Sequence, residues 1–159
     1  MGNKQIIESL DSVDISILRW LQQDARLTIK EISREVNLSS TPVYERIKRM
    51  EREGFIRRYV TILDAEKIHK GFIVFCSVKL SPLNKQVAKE FCDTIKEIAE
   101  VTECYNISGR FDYLLKVHAP DMKYYQSFVL NVLGQLPMLG SLESTFVMEE
   151  IKNDFGVAI

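Results

Sequence analysis

The sequence predicts an α+β protein in two parts, three short helices followed by a βαββαβ unit, and three observations carry that prediction. Through Gly54 the apolar residues recur at the helical period of 3.6, interrupted by capping signals. At Phe55 the period switches to two, the spacing of a strand. From Phe72 onward a strand–helix–strand pattern occurs twice in succession.

Each element has its own local reason. Asp14 is expected to cap a first helix whose apolar stripe is Ile17, Leu18, Leu21 and Ala25, with Trp20 beside it as a core or interface anchor. Thr28 and Glu31 form a capping box for a second helix that buries Ile29, Ile32 and Val36. Leu27 lies between these helices and closes their small core. Asn37-Leu38-Ser39-Ser40 is a tight polar turn, after which Ser40 or Ser39 caps a third helix. Pro42 suits its first turn, and Gly54 suits its C-terminal end. Phe55–Leu63, rich in β-branched and aromatic residues, reads as a strand. The domains expected are therefore 1–63, a polar linker 64–71, and 72–159.

In the second half, strand Phe72–Leu80 places Phe72, Val74, Cys76, Val78 and Leu80 on one face. Helix Asn84–Ala99 buries Val87, Ala88, Phe91, Cys92, Ile95 and Ile98. Strand Val101–Ser108, the Gly109-Arg110-Phe111 turn and strand Asp112–Ala119 follow. A helix from Asp121 buries Tyr125, Phe128, Val129, Val132 and Leu133, and strand Ser141–Ile151 closes the unit. This order is the ferredoxin-like arrangement, an antiparallel four-stranded sheet with two helices on one face. The uncovered face, with positions such as Ile73, Phe75, Tyr105 and Ile107, is too apolar to stay wet and predicts face-to-face dimerisation.

Composition narrows the function classes. The chain has 159 residues, 46% hydrophobic and 27% charged, ordinary for a globular protein. The start, Met1-Gly2-Asn3-Lys4-Gln5-Ile6-Ile7, lacks the apolar core of a secretory signal, and no apolar run reaches the roughly 20 residues that span a bilayer. A cytoplasmic protein with no membrane partner is expected. Cys76, Cys92 and Cys104 are odd in number and without zinc half-site spacing, so reduced core thiols are expected and no metal or cofactor. The net charge of −1 is divided: residues 1–60 hold 11 Lys+Arg and 9 Asp+Glu, whereas residues 61–159 hold 10 and 13. Arg46, Lys48, Arg49, Arg52, Arg57 and Arg58 crowd into residues 44–58. A polyanion is expected to meet the N-terminal part.

The third helix carries the functional argument. On a wheel of about 100° per residue, Val43, Ile47 and Met50 share one side. Thr41, Glu45, Lys48, Arg49 and Arg52 lie opposite. A helix held by two others through its apolar side, with short polar residues near its start and cations behind, suits the major groove of double-stranded DNA. Ser40, Thr41, Pro42 and Glu45 are thus expected at base edges or nearby phosphates, and Lys48, Arg49 and Arg52 at bases or phosphates. Arg57 and Arg58 follow where a backbone-contacting element would be useful. The competing reading is a solvated mixed-charge surface, with Glu45 facing Arg49 and Lys48 facing Arg52. The three-helix context and the tight turn favour a winged helix-turn-helix.

Four segments in order resemble the leucine-responsive/asparagine-responsive (Lrp/AsnC) transcription regulators. They are Leu10-Asp11-Ser12-Val13-Asp14-Ile15-Ser16-Ile17-Leu18 with Leu21-Gln22-Gln23-Asp24-Ala25-Arg26, and Ser39-Ser40-Thr41-Pro42-Val43-Tyr44-Glu45-Arg46-Ile47 with Glu53-Gly54-Phe55-Ile56. The others are Ser108-Gly109-Arg110-Phe111-Asp112-Tyr113-Leu114-Leu115-Lys116 and Phe146-Val147-Met148-Glu149-Glu150. The resemblance implies homodimers that assemble further, often to octamers, and a small effector, commonly an amino acid, bound between dimers near the Gly-x-x-Asp turn. Carried over, Gly109, Arg110, Asp112 and Tyr113 belong to that turn, with Met122, Thr145 and Phe146 as opposite walls. Asp112 would pair with an effector ammonium group while turn N–H groups hold its carboxylate. The alternatives are a turn-forming carboxylate for Asp112 and plain core packing for Met122 and Phe146. Arg110 departs from the acidic residue many members carry there, which changes the field at the pocket mouth.

Two other functions compete. Proteins resembling this family include haem-precursor decarboxylases, which rely on histidine and basic residues. Here His69 falls in the linker and His118 near a strand end, and no catalytic set or phosphate-cradling loop appears. A sensor module that does not bind DNA would leave the alignment of Lys48, Arg49 and Arg52 without a purpose. A non-enzymatic regulator is expected.

Overall fold

A computed structural model describes residues 10–159; Met1–Ile7, read above as lacking a secretory signal, lie outside the described residues. The chain divides into two compact units, one comprising residues up to Thr61 together with Asn153–Ile159, the other Ile62–Lys152. The last seven residues, expected with the C-terminal domain, thus pack with the N-terminal unit. There the Val157 N–H donates to Gln22 Oε1 at 2.7 Å, and Arg19 Nε donates to the Ile159 carbonyl at 2.8 Å.

The N-terminal unit contains α1 (Ser12–Gln23), α2 (Ile29–Glu35) and α3 (Ser40–Arg52). Its core is Ile17, Ile32, Val43, Ile47 and Met50, one or more from each helix. The second cap is as expected, Thr28 and Glu31 satisfying each other's backbone N–H. The first is corrected. Asp11 is the N-cap of α1, and Asp14 is the third helical residue that reaches back to it. A capping box pairs the N-cap with the third helical residue, and the three-residue spacing of Asp11 and Asp14 puts an acid at both positions. After α3, Gly54 takes φ +81°, the left-handed conformation that stops a helix cheaply.

Phe55–Leu63 forms no strand, contrary to the expectation. A strand exists through its ladder, and among the described residues no segment pairs with this one. It leaves Tyr59, Val60, Ile62 and Leu63 exposed.

The second unit is a four-stranded antiparallel sheet of order β2-β3-β1-β4, with β1 (Phe72–Leu80), β2 (Val101–Asn106), β3 (Tyr113–Ala119) and β4 (Leu139–Phe146). Helices α4 (Lys85–Lys96) and α5 (Met122–Asn131), capped by Asn84 and Asp121, contribute Phe91, Ile95, Tyr125 and Phe128 to one core with Val74, Cys76, Val78, Leu115 and Val117. β4 ends five residues earlier than expected because it pairs only with β1: Val74 faces Phe146, Val147 bonds to Ile73, and β1 begins at Phe72. The opposite face carries Ile73 and Phe75, half-buried, beside Leu114 and the exposed Tyr105. Of the three free thiols only Cys76 is fully buried; Cys104 is exposed at the β2 edge, which corrects the expectation of three core thiols. No helix among the described residues is long and apolar enough to cross a membrane.

Candidate nucleic-acid interface and hairpin site

The packing of α3 decides which of its polar groups are available. Val43, Ile47 and Met50 are buried against α1 and α2, and Thr41, Glu45, Lys48 and Arg52 are exposed on the other side, with Pro42 half-buried at the helix start and the exposed Ser40 on the packed side, its hydroxyl 3.5 Å from that of Ser33. Thr41, Glu45, Lys48 and Arg52 succeed one another at three- and four-residue spacing, so they form one stripe. Arg57 and Arg58 are exposed on the segment that follows.

Arg49 is placed differently. Its guanidinium turns off the stripe and donates to Asp14 Oδ2, while Arg46 donates to the other oxygen of Asp14 at 2.8 Å and to Asp11 at 2.6 Å. Asp14 has no exposed surface. Two arginines of α3 thereby lock it to the start of α1, and the Arg46 partnership helps hold the Asp11 carboxyl below its usual range, after the backbone N–H of Asp14. The positive charge counted along residues 44–58 is consequently spent in part inside the fold. What faces outward is Lys48, Arg52, Arg57 and Arg58. Lys48 is itself held by Glu51 at 2.7 Å, and Glu51 also accepts from Tyr59 Oη at 2.9 Å. The burial of Asp14 had no signal in the sequence beyond the spacing of two acids at the start of α1 and two arginines on α3.

The turn residues of the second unit gather at one end of the sheet. Gly109 takes φ +132°, a conformation that L side chains rarely adopt. Arg110 is exposed, 5.1 Å from the Phe111 ring and 3.6 Å from Glu143. Asp112 is nearly buried, and its carboxylate accepts the Leu80 N–H at 2.9 Å and Lys79 Nζ at 3.0 Å. That backbone N–H, helped by the Lys79 ammonium, keeps the Asp112 carboxyl below its usual range in spite of burial. Its main chain bonds the sheet too, donating to the Val78 carbonyl and accepting from Ile107 N–H and the Asn106 amide. The Tyr113 ring points into the core, 4.7 Å from Phe91, and burial pushes its hydroxyl up to about 12. Tyr113 therefore supports the turn from behind.

Met122, Thr145 and Phe146 lie elsewhere. Thr145 and Phe146 face Phe75 and Val74 across the β1–β4 ladder, whereas the turn sits against Val78. Four residues of strand separate them, roughly 13 Å at about 3.3 Å per residue. Phe146 stacks with Phe72 and Tyr125 and keeps 39% of its surface, and Met122 keeps 40%. One copy of the chain does not bring the two sets together. Of the histidines, His118 bonds to the Lys70 carbonyl and His69 lies in a turn. Among the described residues no three metal-ligating side chains cluster.

Two family descriptions match, a winged helix-turn-helix DNA-binding domain over residues 10–57 and the Lrp/AsnC ligand binding domain over residues 73–157. The leucine-responsive regulatory proteins of Serratia marcescens and Escherichia coli K12 are each 37% identical to the chain, over 95% and 91% of it and 92% and 88% of their own lengths. Among solved structures, a transcriptional regulator of Neisseria meningitidis in complex with L-methionine superposes with a TM-score of 0.90 at 34% identity, covering 94% of this chain and 96% of its own. An AsnC family regulator from Agrobacterium tumefaciens gives 0.89 at 36% identity, with 94% and 97% covered.

Proposed function

The chain belongs to the Lrp/AsnC family and is a DNA-binding transcriptional regulator, and on that premise we propose which residues read DNA and which answer to a small effector. The observation that carries the DNA assignment is the exposed stripe of α3, opposite a side that is wholly buried. Ser40, Thr41, Pro42 and Glu45 approach base edges, Lys48 and Arg52 reach bases or phosphates, and Arg57 and Arg58 bind the DNA backbone. Arg49 serves by holding the helix at its angle to α1. The reading is that of a cytoplasmic regulator and not of an enzyme, in keeping with relatives named for regulation.

The effector is an amino acid or similar small molecule, a class supported by the L-methionine complex of the Neisseria relative. It lies between copies of the chain. The turn of Gly109, Arg110 and Asp112, backed by Tyr113, forms one wall, and Met122, Thr145 and Phe146 of a neighbouring copy form the other. The separation of these groups along β1 supports a shared pocket over one within a protomer. Dimers form on the uncovered sheet face around Phe75 and assemble further, to an octamer. An effector then shifts that assembly by its differential affinity for the two states, a coupling of about 1–3 kcal/mol.

The test is fluorescence anisotropy on the duplex upstream of the chain's own coding sequence, beside a scrambled duplex, with and without each amino acid. Tighter binding to the first, shifted by at least one amino acid, is the expected result. Equal binding to both would remove the assignment of base-reading residues.

A further inference from the structure

Resting on the reading of α3 as the base-contacting helix, we infer that Tyr44 is a specificity-determining residue whose ring packs against the methyl group of a thymine. Tyr44 is the sole aromatic residue of α3 and stands in its N-terminal half, three residues after Thr41 and one before Glu45. That is the part of a recognition helix that comes nearest to base edges. Its ring is 50% exposed, although it sits on a helix whose other large apolar residues, Ile47 and Met50, are buried. The fold has no use for it as a core residue.

The ring is also held in place from its outer side. Lys48 Nζ lies 5.8 Å from the Tyr44 ring centroid, and the Glu51 carboxylate fixes that ammonium at 2.7 Å. Tyr59 Oη donates to the same carboxylate at 2.9 Å. Tyr59, from the segment after α3, and Glu51, Lys48 and Tyr44 of the helix form a continuous train, each member restrained by the next. An ordered apolar surface loses little freedom on binding. The hydroxyls of Tyr59, Tyr105 and Tyr124 are bonded to Glu51, Glu103 and Glu100, whereas that of Tyr44 has no such acid.

The chemistry of the groove selects the contact. The thymine C5-methyl is the apolar feature that the four base pairs present in the major groove, and apolar side chains read it. Lys48 beside the ring meets the O4 and N7 acceptors or a phosphate, so ring and ammonium together favour a thymine flanked by an acceptor-rich step.

The experiment selects preferred duplexes from a random-sequence library with the full-length protein and with its Tyr44→Ala and Tyr44→Phe variants. The best duplex is then remade with deoxyuridine at each thymine in turn. For the wild type and Tyr44→Phe, one substitution per half-site is expected to weaken binding about fourfold, the factor for one buried methyl group. For Tyr44→Ala that loss disappears, and the selected motif drops its thymine at the same position. A Tyr44→Ala motif with unchanged thymine preference and deoxyuridine response would overturn the inference and leave the DNA reading intact. Failure of the wild-type protein to enrich any motif would overturn both. Circular dichroism and the thermal midpoint of Tyr44→Ala, expected unchanged because the ring is exposed, separate a lost contact from a lost fold.

Discussion

The Arg49 guanidinium of the third helix donates to the buried carboxylate of Asp14 in the first, and Arg46 binds that carboxylate from the other side. The angle at which the third helix is held thus depends on an acid with no exposed surface. Asp14→Ala leaves two guanidiniums without their acceptor. The expected loss is about 3 kcal/mol, the low end for breaking a buried ion pair, because both arginine side chains keep partial access to water. Urea unfolding measures it, and a loss below about 1 kcal/mol would mean that the cluster does not set the packing of α3.

Gly109 at φ +132° has open space where a Cβ would stand, so conformational strain is the cost of any side chain there. Gly109→Val should destabilise the β2–β3 hairpin by about 1–3 kcal/mol. It should alter the response to effector while leaving the operator affinity of the dimer within twofold. Parallel anisotropy titrations with and without effector test this, and loss of DNA binding by a folded variant would contradict the separation of roles.

The Asp112 carboxyl titrates below its usual range in the folded chain, chiefly because the Leu80 N–H bonds its charged form. The sign follows from linkage. A carboxyl with a depressed folded pKa contributes stability that is fully present above its unfolded value, near 3.9, and is lost as pH falls through the folded value. The wild-type protein should therefore lose stability below about pH 4 more steeply than Asp112→Asn does. Thermal midpoints measured between pH 3 and pH 7 supply the comparison; parallel curves would show that Asp112 makes no contribution through its charge.

Much of this fold was legible because its causes are local. The Thr28–Glu31 box, the helix starts at Asn84 and Asp121 and the alternation of Phe72–Leu80 each follow from neighbours within a few residues. What escaped depends on groups distant in sequence. Phe55–Leu63 has the composition of a strand, but composition does not supply a ladder. The resemblance puts Tyr113 with the turn, yet whether it points to a ligand or to Phe91 depends on where α4 lies. Arg49 falls on the polar side of a helical wheel at about 80° from Thr41. At that edge of the stripe, an acid on another helix decides whether it faces DNA or the core. Tyr44 was visible within its motif but carried no role, since exposure is a property of the fold.

The half-buried Phe75 and Ile73 on the face without helices predict self-association. Phe75→Asp should move the mass measured by light scattering at micromolar concentration toward the monomer, with far-ultraviolet circular dichroism unchanged. An unchanged assembly would place the dimer contact on another surface.

Arg49 meets Asp14, and we propose that Lys48 and Arg52 are left to meet DNA. The most direct test is the salt dependence of operator binding, measured by anisotropy for the wild type, Lys48→Ala, Arg52→Ala and Arg49→Ala. Each phosphate contact adds about 0.9 to the slope of log K against log salt. Lys48→Ala or Arg52→Ala is expected to lower the slope by about one contact in each half-site, about 1.8 for a dimer, with stability preserved. Arg49→Ala should keep the wild-type slope at reduced stability. An Arg49→Ala slope that falls as far as the Lys48→Ala slope, in a protein of wild-type stability, would place Arg49 on the DNA instead of on Asp14.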